Sequence, residues 1–231
     1  MNRQAVNPYL PSWEYIPDGE PHVFNGRVYV YGSHDRFNAP IFCVNDYVCW
    51  SAPVEDLSER RYEGVIYRKK QDPKNPLGYH LLFAPDVCQG PDGRYYLYYA
   101  FDFLGIMSVA VCDTPAGEYK FLGHIHYADG TLWGRRRGDQ LPFDPGVLAD
   151  DDGRVWLYSG FYNAVPAILT GGHKLRCDGG TVLELEKDMV TIKTEPRVIF
   201  PKKGPGAFQG HEFFEASSIR KEGKTYIFVY S

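Results

Sequence analysis

No stretch of this sequence is apolar enough, for long enough, to cross a membrane as a helix. The opening residues, MNRQAVNPYLPSWEY, lack the apolar centre of a secretory leader. Neither sign of charge dominates: 25 Lys and Arg face 29 Asp and Glu, a formal net charge of −4. Bulk charge therefore gives no support for nucleic acid or an anionic membrane surface as a partner. Cysteine is scarce and odd in number: Cys43, Cys49, Cys88, Cys112 and Cys177. Their spacings match no metal framework, and the simplest expectation is reduced thiols in a cytoplasmic protein. No long helical period of apolar residues is found either.

What is abundant is aromatic and turn-forming. Tyr, Phe and Trp make up 16% of the chain, beside 24 Gly and 17 Pro, a composition of strands separated by turns. Four segments share one pattern: VFNGRVYVYGSHD (23–35), CQGPDGRYYLYYAFD (88–102), LADDDGRVWLYSGFY (148–162) and IRKEGKTYIFVYS (219–231). Each has an acidic residue or Asn followed by Gly, then a basic residue, then a strand-like run. Asn-Gly and Asp-Gly are strong hairpin signals because their turns need positive φ. The glycines, Gly26, Gly93, Gly153 and Gly223, are 67, 60 and 70 residues apart. Seven to nine residues before each stands an acid: Asp18, Asp86, Asp144 and Glu215.

An acid at the start of an equivalent strand in each repeat suits a β-propeller. There the innermost strands run along a central channel, and their starts converge at one mouth. A solenoid would instead stack the acids in a line. The expectation is an all-β propeller domain over 1–231, with blade starts near residues 18, 83, 143 and 211. The fourth repeat stops in mid-strand at Ser231. The domain is thus expected to be incomplete, its C-terminal edge open to a second copy or a complementing chain.

Converging acids admit two chemistries: glycoside hydrolysis by paired carboxylates, and a calcium site. The segments YIPDGEPHVFNGRVYVYGSHD, FAPDV, FDPGVLADDDGR and GHEFFEASSIRK, in that order from residue 15 to the C-terminus, resemble glycoside hydrolase family 43. That resemblance implies a five-bladed propeller, of which this chain supplies the first three to four blades. It implies an inverting hydrolase that removes arabinofuranosyl or xylosyl residues from plant-derived oligosaccharides. Asp18 would be the base, Glu215 the acid, and Asp144 the group that tunes the acid. Asp86 would lie on the substrate side, and His34 and Asp35 near the sugar. No cofactor is implied; a structural Ca2+ in the axial channel is allowed. Phe83 and Phe161 remain open to two readings, stacking on a sugar or packing in the core. The alternative to an enzyme is a carbohydrate-binding or partner-dependent propeller fragment without turnover. HEFFE lacks the second histidine of a zinc-protease helix. Asp150, Asp151 and Asp152 read as a solvated turn, GRRRGDQ (134–140) as a solvated loop, and Trp50 as core.

Overall fold

A computed structural model describes residues 9–205 and 208–231. Among the described residues fourteen strands form four antiparallel sheets. The first sheet holds β1 (Glu20–Phe24), β2 (Arg27–Tyr31), β3 (Tyr47–Pro53) and β4 (Arg61–Tyr67). The second holds β5 (Asp86–Gln89), β6 (Tyr95–Ala100), β7 (Met107–Cys112) and β8 (Lys120–His124). The third holds β9 (Gly146–Ala149), β10 (Val155–Phe161), β11 (Gly179–Leu185) and β12 (Arg197–Pro201). The fourth is the hairpin β13 (Ser218–Glu222) and β14 (Thr225–Val229). Each four-stranded sheet is a meander in chain order.

Each repeat identified in the sequence is the first hairpin of a sheet. Phe24 pairs with Arg27, so Asn25 and Gly26 alone make the first turn, with φ of 50° and 75°. Positive φ at both central residues is the turn whose twist matches that of the strands. In the fourth hairpin Glu222 pairs with Thr225, so the turn is Gly223-Lys224 rather than Glu222-Gly223.

The second sheet is sandwiched between the first and the third. Every residue of β6, YYLYYA, is buried. Tyr95, Leu97 and Tyr99 pack toward Tyr31, Tyr47 and Tyr67 of the first sheet. Tyr96 and Tyr98 pack toward Val155, Leu157 and Leu183 of the third. The alternation of side chains along a strand thus serves two cores at once. The tyrosine hydroxyls of β6 need partners and have them. Tyr98 donates to the Met189 carbonyl at 3.0 Å, and Tyr99 to Asp72 at 2.7 Å.

The first strands of the sheets gather at one axis. β9 packs on both β5 and β13, while side chains bridge β1 to β5 and β13 to β1. β14 stands at the outer edge of its sheet with Tyr226, Ile227 and Val229 exposed. Asp150 departs from the solvated-turn expectation: it is buried and accepts hydrogen bonds from Lys221 and Tyr226, tying the fourth sheet to the third.

Candidate active site

The chain bends sharply as it enters β1, β9 and β13, and three carboxyl groups sit at those bends. Asp18 lies two residues before β1, Asp144 two before β9 and Glu215 three before β13. Asp18 and Asp144 have left-handed φ of 54° and 46°, which aspartate tolerates better than most residues. At the third bend the left-handed residue is Ala216, at 61°, with no polar side chain to ease it. All three carboxyls line one cavity of about 160 Å3.

Their depths differ. Asp18 is exposed and accepts a hydrogen bond from the Ser33 hydroxyl at 3.2 Å. Glu215 is half-buried; burial, then the charge of Asp18, pushes its carboxyl above the usual range. Asp144 is buried and accepts the Ala216 N–H at 3.2 Å. Burial first, then the charges of Glu215 and Asp18, push it well above the usual range. Asp144 is expected to supply part of the push on Glu215; in the structure burial comes first and the charge that adds to it is that of Asp18, while Asp144 is itself the deep acid. Three like charges in one small cavity repel, and the buried group holds its proton longest.

The rest of the lining is aromatic. Phe103 and Phe143 lie parallel, ring centres 5.4 Å apart and planes 4° apart. Phe83 meets both edge-on, at 5.7 and 5.8 Å. Phe161 leans on Phe143 at 4.7 Å, and Phe42, exposed at the mouth, leans on Phe83 at 5.4 Å. Phe83 and Phe161 therefore satisfy both readings: they line the cavity and pack in one apolar cluster.

Three expected substrate contacts fall elsewhere. Asp86 is fully buried and outside the cavity. It is the first residue of β5, two positions further along than Asp18 or Asp144, so counting back from the glycines had merged two registers. Ala84 occupies the matching pocket position. Both ring nitrogens of His34 are engaged: Nδ1 donates to the Asp46 carbonyl at 2.9 Å, and Nε2 lies 3.0 Å from Glu14. Asp35 follows the end of β2 and accepts the Cys43 N–H, which shapes the loop that carries Phe42 and Cys43 to the cavity.

Phe42, Cys43, Phe103 and Phe143 were missed as lining. Phe143 had a signal, its place beside Asp144. The others stand on loops with no periodic pattern. Arg135, read as part of a solvated loop, holds the Phe103 turn by donating to the Leu104 and Gly105 carbonyls at 3.1 and 2.9 Å.

Cys43 lines the cavity, yet burial pushes its thiol up to about 11. Since the thiolate is the reactive form, iodoacetamide at pH 8 should label Cys43 at least about tenfold slower than an ordinary free cysteine. Mass spectrometry of the labelled peptide over time checks this, and rapid labelling would show the thiol to be activated.

Below the cavity, Glu20, His22 and Asp86 bring donor atoms within 4.8 Å of one another. Calcium takes six to eight oxygen ligands. Here Asp86 Oδ1 already meets His22 Nε2 at 2.6 Å and the Val87 N–H at 2.8 Å, and Oδ2 the Val147 N–H at 2.7 Å. Glu20 Oε2 takes Ser218 and Arg220. An arginine in the cluster and carboxylates already hydrogen-bonded do not fit a calcium cage.

Exposed, half-buried and buried carboxyls around one aromatic pocket, at the entrance to the axis of an all-β fold, place the chain in the carbohydrate-active class of proteins. More narrowly, it belongs to the glycosyl hydrolases family 43, whose family model matches residues 17–231. It is 60% identical over 235 residues to a xylosidase/arabinosidase of Thermoclostridium stercorarium. That match covers 100% of this chain and 48% of the relative, so the chain spans about half its length. It is 31% identical to the xylosidase/arabinosidase 43A of Humicola insolens, over 94% of this chain and 72% of that one. Among solved structures it resembles CoXyl43, a β-xylosidase/α-arabinofuranosidase from a compost microbial metagenome, crystallised with xylotriose in a calcium-free form. The TM-score there is 0.71 at 26% identity, covering 99% of this chain and 73% of that one.

Proposed function

We propose that this chain carries the catalytic pocket of an inverting glycoside hydrolase that removes single xylosyl or arabinofuranosyl residues from oligosaccharides. The observation that carries the reading is one small cavity holding Asp18, Asp144 and Glu215 together. Its volume of about 160 Å3 suits one sugar ring and not a length of chain. In this reading Asp18, the carboxyl open to solvent, takes the proton of the attacking water. Glu215, whose carboxyl is raised, gives its proton to the leaving oxygen. Asp144, the most deeply buried of the three, stays protonated the longest and lines the cavity beside them. The phenylalanines offer apolar faces to the sugar ring and keep bulk water from the reacting centre.

The names of the relatives support the choice of pentosides. The three four-stranded sheets and one hairpin are read as three full blades and the start of a fourth in a five-bladed domain. A further strand, from the same protein or a partner, would add at β14. The five free thiols suit a reducing compartment, which supports action on imported oligosaccharides in the cytoplasm.

The test is hydrolysis of aryl β-D-xylosides and α-L-arabinofuranosides in a chelating buffer, with the product anomer followed by NMR. Release of the inverted anomer, lost in Asp18→Asn, is expected. No turnover above that variant would overturn the reading, and a retained anomer would overturn inversion.

A further inference from the structure

The supposed base and acid stand at the entrances to different sheets. Nothing in the main-chain ladders joins those sheets, because β1 and β13 are not hydrogen-bonded neighbours. What joins them is a set of side chains on the first residues of the two strands. Glu20 opens β1, two residues after Asp18, and Ser218 opens β13, three after Glu215. Glu20 Oε2 accepts the Ser218 hydroxyl at 3.2 Å and the Arg220 guanidinium. Arg220 also donates to the Pro21 carbonyl at 3.0 Å.

Two other junctions around the axis, β5 with β9 and β9 with β13, involve the main chain directly. Val147 on β9 donates its backbone N–H to Asp86 on β5 at 2.7 Å. A Cβ added to Gly146 would lie 2.5 Å from the Ser217 carbonyl, so β9 and β13 touch backbone to backbone. The β1–β13 junction rests instead on side chains, Glu20 with Ser218 and Arg220 and Arg220 with the Pro21 carbonyl, two to five residues along the chain from the two carboxyls. Inversion leaves room for a water between them, roughly 6.5–9.5 Å. A misplacement of about 1 Å can cost about a hundredfold in rate.

We propose that Glu20 is a positioning residue that fixes the distance between the Asp18 and Glu215 carboxyls by holding β1 to β13 through Arg220 and Ser218. The inference rests on the reading of Asp18 and Glu215 as a catalytic pair, but the spacing it concerns can be measured without turnover. The charge of Asp18 is one of the causes that raise Glu215, so the titration of Glu215 reports how far away Asp18 is. The other titratable groups in that cavity are Asp144 and Cys43, and His211 and Glu212 precede Glu215 on its own segment. Glu20→Gln also removes a carboxylate charge, whereas Ser218→Ala leaves every charge in place, so a lowered midpoint in Ser218→Ala is the sign of spacing and not of lost charge.

The experiment is a carbon-13 NMR titration of Glu215, with pH–rate profiles on a pentoside, for the wild-type chain, Glu20→Gln, Ser218→Ala and Arg220→Lys. Loss of the strap lets β1 and β13 part, weakens the Asp18 push and lowers the Glu215 midpoint. Glu20→Gln should lower it by about 0.5 pH and carry the basic limb of the profile down with it. Its kcat should fall about tenfold while KM changes less than about threefold. Ser218→Ala should show the same direction at smaller size, and Arg220→Lys, which keeps a cation for Glu20, should stay near wild type. An unchanged Glu215 midpoint in Glu20→Gln overturns the proposal, whether or not the rate falls. If Glu20→Gln does not fold, Ser218→Ala decides by the same midpoint. A shifted midpoint in a wild-type chain without pentosidase activity would uphold the spacing role and overturn the proposed function instead.

Discussion

Glu215→Gln should lower kcat/KM on an unactivated pentose disaccharide by about 10²–10⁴-fold, the usual worth of a positioned general acid. On a nitrophenyl pentoside the loss should be far smaller, because that leaving group departs without a proton. The contrast separates the two carboxyls. In the proposed mechanism Asp18 activates the water, so Asp18→Asn should depress both substrates alike. The sign of the pH effect is also fixed. The Glu215 carboxyl is raised by burial and by the Asp18 charge, so its proton persists to higher pH than that of an ordinary glutamate. The wild-type rate should fall as pH rises through that value, and Glu215→Gln should lose this limb. Equal losses on the two substrates, with the limb intact, would remove Glu215 from the acid role.

Asp144→Asn should do two opposite things: reduce turnover by about a hundredfold or more and make the protein more stable at neutral pH. Burial, Glu215 and Asp18 all raise the Asp144 carboxyl in the folded chain. A raised carboxyl contributes stability that is complete below the unfolded value, near 3.9, and lost as pH rises through the folded value. Above that point the native fold carries a buried charge among like charges. Asparagine never ionises, and its oxygen can still accept the Ala216 N–H. Thermal unfolding at pH 7.5 should favour the variant by about 1–2 kcal/mol, with the difference closing toward pH 4. A variant less stable than wild type at pH 7.5 would show that the hydrogen bond from Ala216, not the charge, dominates at this position.

Much of this was legible in the residues, for identifiable reasons. The four hairpins could be read because a two-residue turn with positive φ leaves a mark such as Asn25-Gly26, followed by an unbroken aromatic strand. The pocket acids Asp18, Asp144 and Glu215 could be read because each stands at a fixed place before such a strand. Asp86 was misread for the same reason. Distance from the glycine mixes hairpin length with strand register, and a shift of two residues moved its carboxyl from the pocket to the axis. The aromatic lining was largely hidden. Phe42 and Phe103 reach the cavity on loops shaped by Asp35 and Arg135, and such long-range anchoring leaves no period in the chain. His34 looked like a sugar contact from its place in the motif, yet Glu14 and the Asp46 carbonyl take up its ring. The tie between Glu20 and Arg220 joins residues 200 positions apart and has no local signature.

That tie also sets an order in time. Within each sheet the strands pair with their immediate successors, so the first three sheets consist of contacts between segments that leave the ribosome together. Asp18 emerges well before Glu215, and their meeting waits for β13 to come back to β1. Tertiary structure around the buried tyrosines of β6 can be complete while the pocket still lacks one wall. In a refolding chain, tyrosine fluorescence should therefore recover ahead of sugar binding, and the delay measures how long the fourth sheet takes to find the first.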